Sequence, residues 1–233
     1  MLIPKRQGWQ DLRVRVVSAL VLAPVGLAGL WLGGLAWDAL IILLALGMAM
    51  EWSAMSRANR VSIRKRFPGV LLSGLCYIGP ATLALIWLRD DALVGRANVL
   101  FVVLVVWASD IGAYLLGRLI GGPKLAPRLS PGKTWSGAAG GFCSAVAVGL
   151  IAAEFEPAGS ALPGAVVAAS LGIASQLGDL LESALKRHFG VKDSGRLIPG
   201  HGGLLDRLDG MLMAAPVAAI LILALGRGVV LWQ

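Results

Sequence analysis

This sequence of 233 residues is poor in charge, cysteine and histidine. Only 15% of its residues are charged and 57% are hydrophobic, whereas a water-soluble domain carries about 25% charged and about 45–50% apolar residues. A soluble globular chain is thereby excluded. So is a disordered one, because a solvated coil cannot leave that much apolar surface in water. The only two cysteines, Cys76 and Cys143, exclude a disulfide framework. Each stands within an apolar run and is expected to be a buried thiol. Internal repeats and low-complexity segments are also missing, which argues against the inverted-repeat plan of many secondary transporters.

Long hydrophobic runs are what the sequence has instead. Windows of about 19 residues find seven stretches, roughly 16–34, 36–50, 69–88, 98–117, 135–154, 164–183 and 211–231. At 1.5 Å per helical residue they suit a hydrocarbon core of about 30 Å, although the second is short. The expected fold is therefore all-α, a polytopic integral membrane protein of about seven transmembrane helices. The first run is too long for a signal peptide, lacks a small-x-small cleavage site, and is expected to stay as an anchor.

The formal net charge of +8 would suggest nucleic acid in a soluble protein, but its distribution gives another account. Cations gather in alternate segments: Lys5, Arg6, Arg13 and Arg15; Arg57, Arg60, Arg64, Lys65 and Arg66; Arg118, Lys124, Arg128 and Lys133; Lys186, Arg187, Lys192, Arg196 and Arg207. The intervening segments hold only Arg89, Arg96 and Arg227. Because Lys and Arg accumulate in loops that stay in the cytoplasm, the alternation predicts seven spans with a cytoplasmic N-terminus. No nucleic-acid partner is needed. The basic stretch Glu51–Phe67 reads either as an interfacial helix on the anionic inner leaflet or as a solvated loop.

The acids are distributed unevenly. In residues 1–97 they are Asp11, Asp38, Glu51, Asp90 and Asp91, all near expected span ends. In the second half, Asp110 extends the apolar run Val99–Ala108, and Asp179 and Glu182 sit toward the end of the sixth span. Acids at membrane depth are costly and mark function, with interhelical hydrogen bonding as the plain alternative. Offsets of three, four and seven residues bring Asp179, Glu182, Ser183 and Lys186 onto one helical face. An ordinary Glu182–Lys186 pair is the simpler reading of that acid.

Further on, Lys192-Asp193-Ser194-Gly195 precedes Pro199-Gly200-His201-Gly202-Gly203 and Asp206-Arg207-Leu208-Asp209. The glycines let backbone approach a ligand closely, and Asp206 and Asp209 converge if a helix begins there. Carboxylates without paired histidines or cysteines suit a hard cation such as Mg²⁺ rather than zinc. Lys133, Lys186, Arg187, Lys192 and Arg207 supply charge for phosphate oxygens. The combination points to a metal-bound polyphosphate. Gly132-Lys133-Thr134 ends like a P-loop, but Pro127 stands where that motif needs glycine, so the motif is rejected. The segment reads instead as a glycine- and proline-rich cytoplasmic loop.

Across residues 183–209 these motifs resemble the signature of the phosphatidate cytidylyltransferases, and the resemblance extends to about 105–212 through Ser175-Gln176-Leu177-Gly178-Asp179, Ser109-Asp110 and Ser130-Pro131-Gly132-Lys133-Thr134. It implies transfer of a cytidylyl group from CTP to phosphatidate, releasing pyrophosphate, with Mg²⁺ as cofactor. It also implies a homodimer, in what is read as a bacterial inner membrane with the site facing the cytoplasm. Under it, Asp179 and Asp206 are expected to hold metal, with Asp209 and Asp110 as further ligands. Lys133, Lys186, Lys192 and Arg207 would hold phosphates, and His201, Gly202 and Gly203 would line the nucleotide pocket. Ser183, Arg187 and Asp193 complete the expected substrate-binding set, and Asp179, Asp206, Asp209, Lys186 and Arg207 the catalytic one. The chain is thus divided into N-terminal helices over 1–97 and a catalytic region over 98–233. The competing readings are a CTP-dependent transferase or kinase for another lipid, and an ion-coupled transporter.

Overall fold

A computed structural model describes residues 7–58, 63–155, 161–195, 197–198 and 202–233, with side chains from Leu20 onward except at 58, 63–68, 70 and 71. Seven helices follow in order: α1 (Gln7–Leu32), α2 (Gly34–Ala58), α3 (Ile63–Asp90), α4 (Gly95–Leu119), α5 (Trp135–Ala153), α6 (Ala161–His188) and α7 (Leu205–Leu225). Six of them, α2 to α7, are long and apolar enough to cross a membrane, and the described apolar part of α1, Leu20–Leu32, is shorter. Each expected span thus has a helix. Both boundaries differ at the last, which starts at Leu205 rather than 211 and ends at Leu225, where Gly226 with its φ of 110° stops the helix.

The outer surface is rich in large apolar side chains, including Leu35, Leu43, Leu83, Ile151 and Leu223, as lipid contact requires. Cys76 and Cys143 belong to that surface and are exposed, contrary to the expected buried thiols. An apolar run in a membrane protein has two apolar environments available, lipid and core, and hydropathy alone does not choose between them. Inside, the core runs through Trp37, Met48, Val102, Val105, Leu171 and Leu212.

Small residues bring α4, α5 and α6 close. A Cβ on Gly140 would lie 2.8 Å from the Gly112 carbonyl oxygen, and one on Gly137 2.8 Å from that of Ala113, the close backbone approach that membrane helices use in place of a hydrophobic drive. Between α4 and α5 the chain forms a two-stranded antiparallel hairpin, β1 (Lys124–Ala126) and β2 (Ser130–Thr134), with Lys124 opposite Thr134. This replaces the loop expected there. Thr134 then caps α5, its Oγ1 accepting the Gly137 N–H at 3.1 Å.

The two ends of the bundle differ. At one end Arg89 Nε donates to the Leu30 carbonyl, Arg96 to that of Trp31, and Arg227 faces Asp90 at 4.0 Å. The three cations of the cation-poor segments therefore lie together. Here Asp91 accepts the N–H groups of Val94, Leu93 and Gly228, which hold its carboxyl below the usual carboxylate range. The C-terminal tail folds back to this end, clamped by buried Asn98, which donates to the Val229 carbonyl and accepts the Leu231 N–H. The opposite end carries the hairpin, the C-termini of α2, α4 and α6, and the N-terminus of α7. Of the stretch Glu51–Phe67, residues up to Ala58 continue α2 and those from Ile63 begin α3, while the connection between them lies outside the described residues.

Candidate active site

Three acids from two helices meet at the hairpin end. Asp179, Glu182 and Asp209 place one carboxylate oxygen each within 4.8 Å of one another. The first two share a face of α6 by their spacing of three, and Asp209 arrives on α7 because α6 has a glycine at the crossing. A Cβ on Gly178 would collide with the Asp209 carbonyl oxygen, and one on Gly210 with Ser175 Oγ. An all-oxygen set at this separation fits a hard divalent cation and gives no purchase to a thiophilic one.

Two lysines neutralise these acids. Lys133, carried on β2, pairs with Asp179 at 2.7 Å. Lys186 lies one turn beyond Glu182, at 2.5 Å, and also reaches Asp206 Oδ1 at 2.7 Å. Asp206 is held on its other side, where Oδ2 accepts the Ser194 N–H, the Ser194 hydroxyl and the Gly203 N–H, each at 2.9 Å. The Gly203 bond is a reach back from the first turn of α7 to a donor that the helix leaves unpaired. The negative charge also suits the positive end of the helix dipole.

A cavity of about 660 Å³ opens beside this cluster, within the range of about 300–1,000 Å³ common for small-molecule sites. Its wall includes Asp110, Lys133, Gln176, Asp179, Asp206 and Asp209. Gln176 is braced by bonds from its Nε2 to the Ala138 carbonyl and Ser109 Oγ. Gly117 and Gly137 also line the cavity, so the close packing of α4 on α5 shapes the site as well as the bundle.

The expected site residues are thus distributed as follows. Asp179 and Asp209 stand in the acid trio together with Glu182, which is both paired with Lys186 and part of the trio. Asp206 is turned toward Ser194, Gly203 and Lys186, and Asp110 occupies the cavity wall. Ser183 is buried behind this face. Arg187 is exposed and donates to the Leu129 carbonyl, tying the hairpin to α6. Lys192 and Asp193 are exposed in the turn before Ser194, and Arg207 is exposed on the first turn of α7. Gly202, at φ 84°, pairs with Ile198 across a short bridge, and Gly203 is buried. His201 lies outside the described residues.

Glu51 was not expected here. It is 3% exposed, and its two oxygens accept the N–H groups of Leu204 and Leu205 at 3.0 Å. A carboxylate following the apolar run of α2 is the only sequence signal for it.

The fold and this end of the bundle define a polytopic membrane protein with an acid- and lysine-lined cavity between its spans. A sequence model of the cytidylyltransferase family matches residues 62–225. Among individual proteins, the phosphatidate cytidylyltransferase of Brucella suis is 40% identical over a 247-residue alignment that covers 88% of this chain and 91% of that protein. The phosphatidate cytidylyltransferase of Rickettsia bellii is 36% identical over 226 residues, covering 92% of each chain. That of Staphylococcus saprophyticus is 37% identical over 212 residues, covering 89% of this chain and 78% of its own. The chain belongs to the cytidylyltransferase family.

Proposed function

We propose that this membrane protein transfers a cytidylyl group from CTP to phosphatidate, yielding CDP-diacylglycerol and pyrophosphate. The observation that carries the reading is a cavity of about 660 Å³ walled by Lys133, Asp179, Asp206 and Asp209, with the Glu182–Lys186 pair beside these acids, in a chain 36–40% identical to phosphatidate cytidylyltransferases over most of its length. Membership of that family sets the transferase above the ion-transport alternative.

A phosphate oxygen of phosphatidate is already a nucleophile, so the site needs no serine or histidine activated by a base. The acceptor oxygen attacks the α-phosphorus of CTP. A P–O bond forms there as the bond to the bridging oxygen of the β-phosphate breaks, and pyrophosphate leaves with that electron pair. The chain's work is to align the two phosphates and to neutralise the charge they bring together. Lys133 and Lys186 are flexible point charges that can exchange a carboxylate for triphosphate oxygens without backbone movement. Asp179, Glu182 and Asp209 would hold Mg²⁺, with Asp110 and Asp206 beside them. When bound, the ion supplies further neutralisation of the triphosphate and the departing pyrophosphate. Lys192, Arg207 and His201 stay assigned to the substrate phosphates and nucleotide by the family resemblance.

The bacterial relatives and the alternation of cations support a place in the bacterial inner membrane with the hairpin end in the cytoplasm, where CTP is found. Phosphatidate then reaches the site laterally from the inner leaflet. A homodimer is part of the same reading, on the resemblance alone, and light scattering of the purified protein tests it. The function is tested by incubating detergent-solubilised protein with phosphatidate, labelled CTP and Mg²⁺. A lipid-extractable cytidine product is expected. Folded protein that forms none, with phosphatidates of any chain length, overturns the reading.

A further inference from the structure

Glu51 lies outside the segment matched by the family and outside the metal and phosphate contacts proposed above, yet it is among the most buried charged groups described. A lone buried carboxylate is costly unless donors replace the hydration it has lost. Three donors do so. Oε1 accepts the Leu204 N–H at 3.0 Å, and Oε2 accepts the Leu205 N–H at 3.0 Å and the Ser194 hydroxyl at 3.2 Å. The positive end of α7 adds to them. The loop is shaped around this carboxylate: a Cβ on Gly195 would lie 2.5 Å from Oε1, and one on Gly203 2.7 Å from Oε2. Edge-on packing of Trp52 against Phe189, with ring centroids 5.4 Å apart, sets the end of α2 against the end of α6.

Through Ser194 this anchorage reaches the site. The Ser194 hydroxyl also contacts Asp206 Oδ2 at 2.9 Å. Having one hydrogen to donate, it serves one carboxylate at a time and stands as the spacer between them. Asp206 then holds Lys186, and Lys186 holds Glu182 of the acid trio. We propose that Glu51 is a positioning residue: it holds Ser194 and the start of α7 at Leu204 and Leu205 from α2 and, by way of Ser194 and Asp206, fixes Lys186 for the triphosphate of CTP. Glu51 itself touches neither substrate. The proposal rests on the cytidylyl-transfer reading for its kinetic consequence, though not for the clamp itself.

The test uses full-length protein in detergent and the variants Glu51→Gln, Ser194→Ala and their combination. Glu51→Gln preserves size and one carbonyl acceptor but faces a backbone N–H with an amide NH₂, so the variant keeps the volume and loses the clamp. Its KM for CTP is expected to rise about tenfold while that for phosphatidate moves less than about twofold. A mere loss of folded protein lowers kcat and moves neither KM. Ser194→Ala is expected to raise the KM for CTP in the same sense, and the double variant no further than the larger single effect, because both changes cut one chain of contacts. Unchanged KM for CTP in both single variants, or effects that multiply, overturns the proposal. Amide hydrogen exchange supplies an arm that needs no turnover: Leu204 and Leu205 exchange about tenfold faster in Glu51→Gln, and unchanged exchange refutes the clamp. Failure of the transferase reading is distinguishable, since wild-type protein would then form no cytidine lipid while the exchange difference stood.

Discussion

At the scale of the residue, the candidate site is a set of acids whose charge is offset by two lysines. Asp179 and Asp209 differ in their surroundings. Asp179 is paired with Lys133, whereas Asp209 accepts the N–H of Gly210 beside it, at 2.8 Å. Replacing either by asparagine keeps the shape and removes a negative charge from the proposed Mg²⁺ set. Each substitution is expected to lower kcat by about 10²-fold or more and to raise the Mg²⁺ concentration for half-maximal rate, with an unchanged elution profile of the folded protein. A titration of rate against Mg²⁺ reads both effects, and wild-type Mg²⁺ dependence in either variant removes that acid from the set. Lys186 is different in kind. It is the shared partner of Glu182 and Asp206, so Lys186→Met leaves two acids facing each other, and a destabilisation of about 3–5 kcal/mol is expected, seen as a lower thermal midpoint together with loss of turnover.

At the scale of the element, the hairpin β1–β2 delivers Lys133, and it is built on a helix start. Thr134 ends β2, caps α5 and shares a hydrogen bond of 3.0 Å with Ser136, whose hydroxyl in turn bonds the Gly121 carbonyl. Thr134→Ala is expected to cost about 1 kcal/mol of stability and to loosen Lys133, lowering turnover more than Thr134→Ser, which keeps the cap; thermal midpoints and rates of the two variants separate these effects. The seven helices were legible because each contains a long apolar run, and the face Asp179–Glu182–Lys186 because helical spacing alone defines it. The hairpin was not, since Ser130–Thr134 contains proline and glycine and lacks the apolar alternation by which a strand is recognised. Its register nevertheless sets Lys124 opposite Thr134 between α4 and α5. Glu51 was legible only as an acid at a span end: its partners stand 143 to 154 residues away, and nothing local announces them. Asp206 illustrates a third case: it lines the cavity beside Asp209, while its direction, toward Ser194 and Gly203, depends on glycines at 195 and 203 that accommodate Glu51.

At the scale of the whole molecule, the charge pattern and the fold make one statement from two sides. The fold places Arg89, Arg96 and Arg227 at one end and the hairpin, with Lys124 and Lys133, at the other. Helix α4 joins the two ends, and its 25 residues span about 37 Å at 1.5 Å each, more than the hydrocarbon core of about 30 Å. Leu93 before it and Lys124 after it therefore lie on opposite faces of the membrane, whichever way the protein is inserted. The orientation proposed above puts that face in the cytoplasm, on the excess of cations at the hairpin end and on the access that CTP would need to Lys133 from water. Single cysteines at these two positions decide the orientation, in a background where Cys76 and Cys143, both exposed on the apolar spans, are replaced by serine. In intact cells whose outer barrier has been removed, an impermeant maleimide is expected to label Leu93→Cys directly and Lys124→Cys only after the membrane is opened. The reverse pattern would place the acid cluster on the outer face, out of reach of cytoplasmic nucleotide, and would overturn both the orientation and the lateral route proposed for phosphatidate from the inner leaflet.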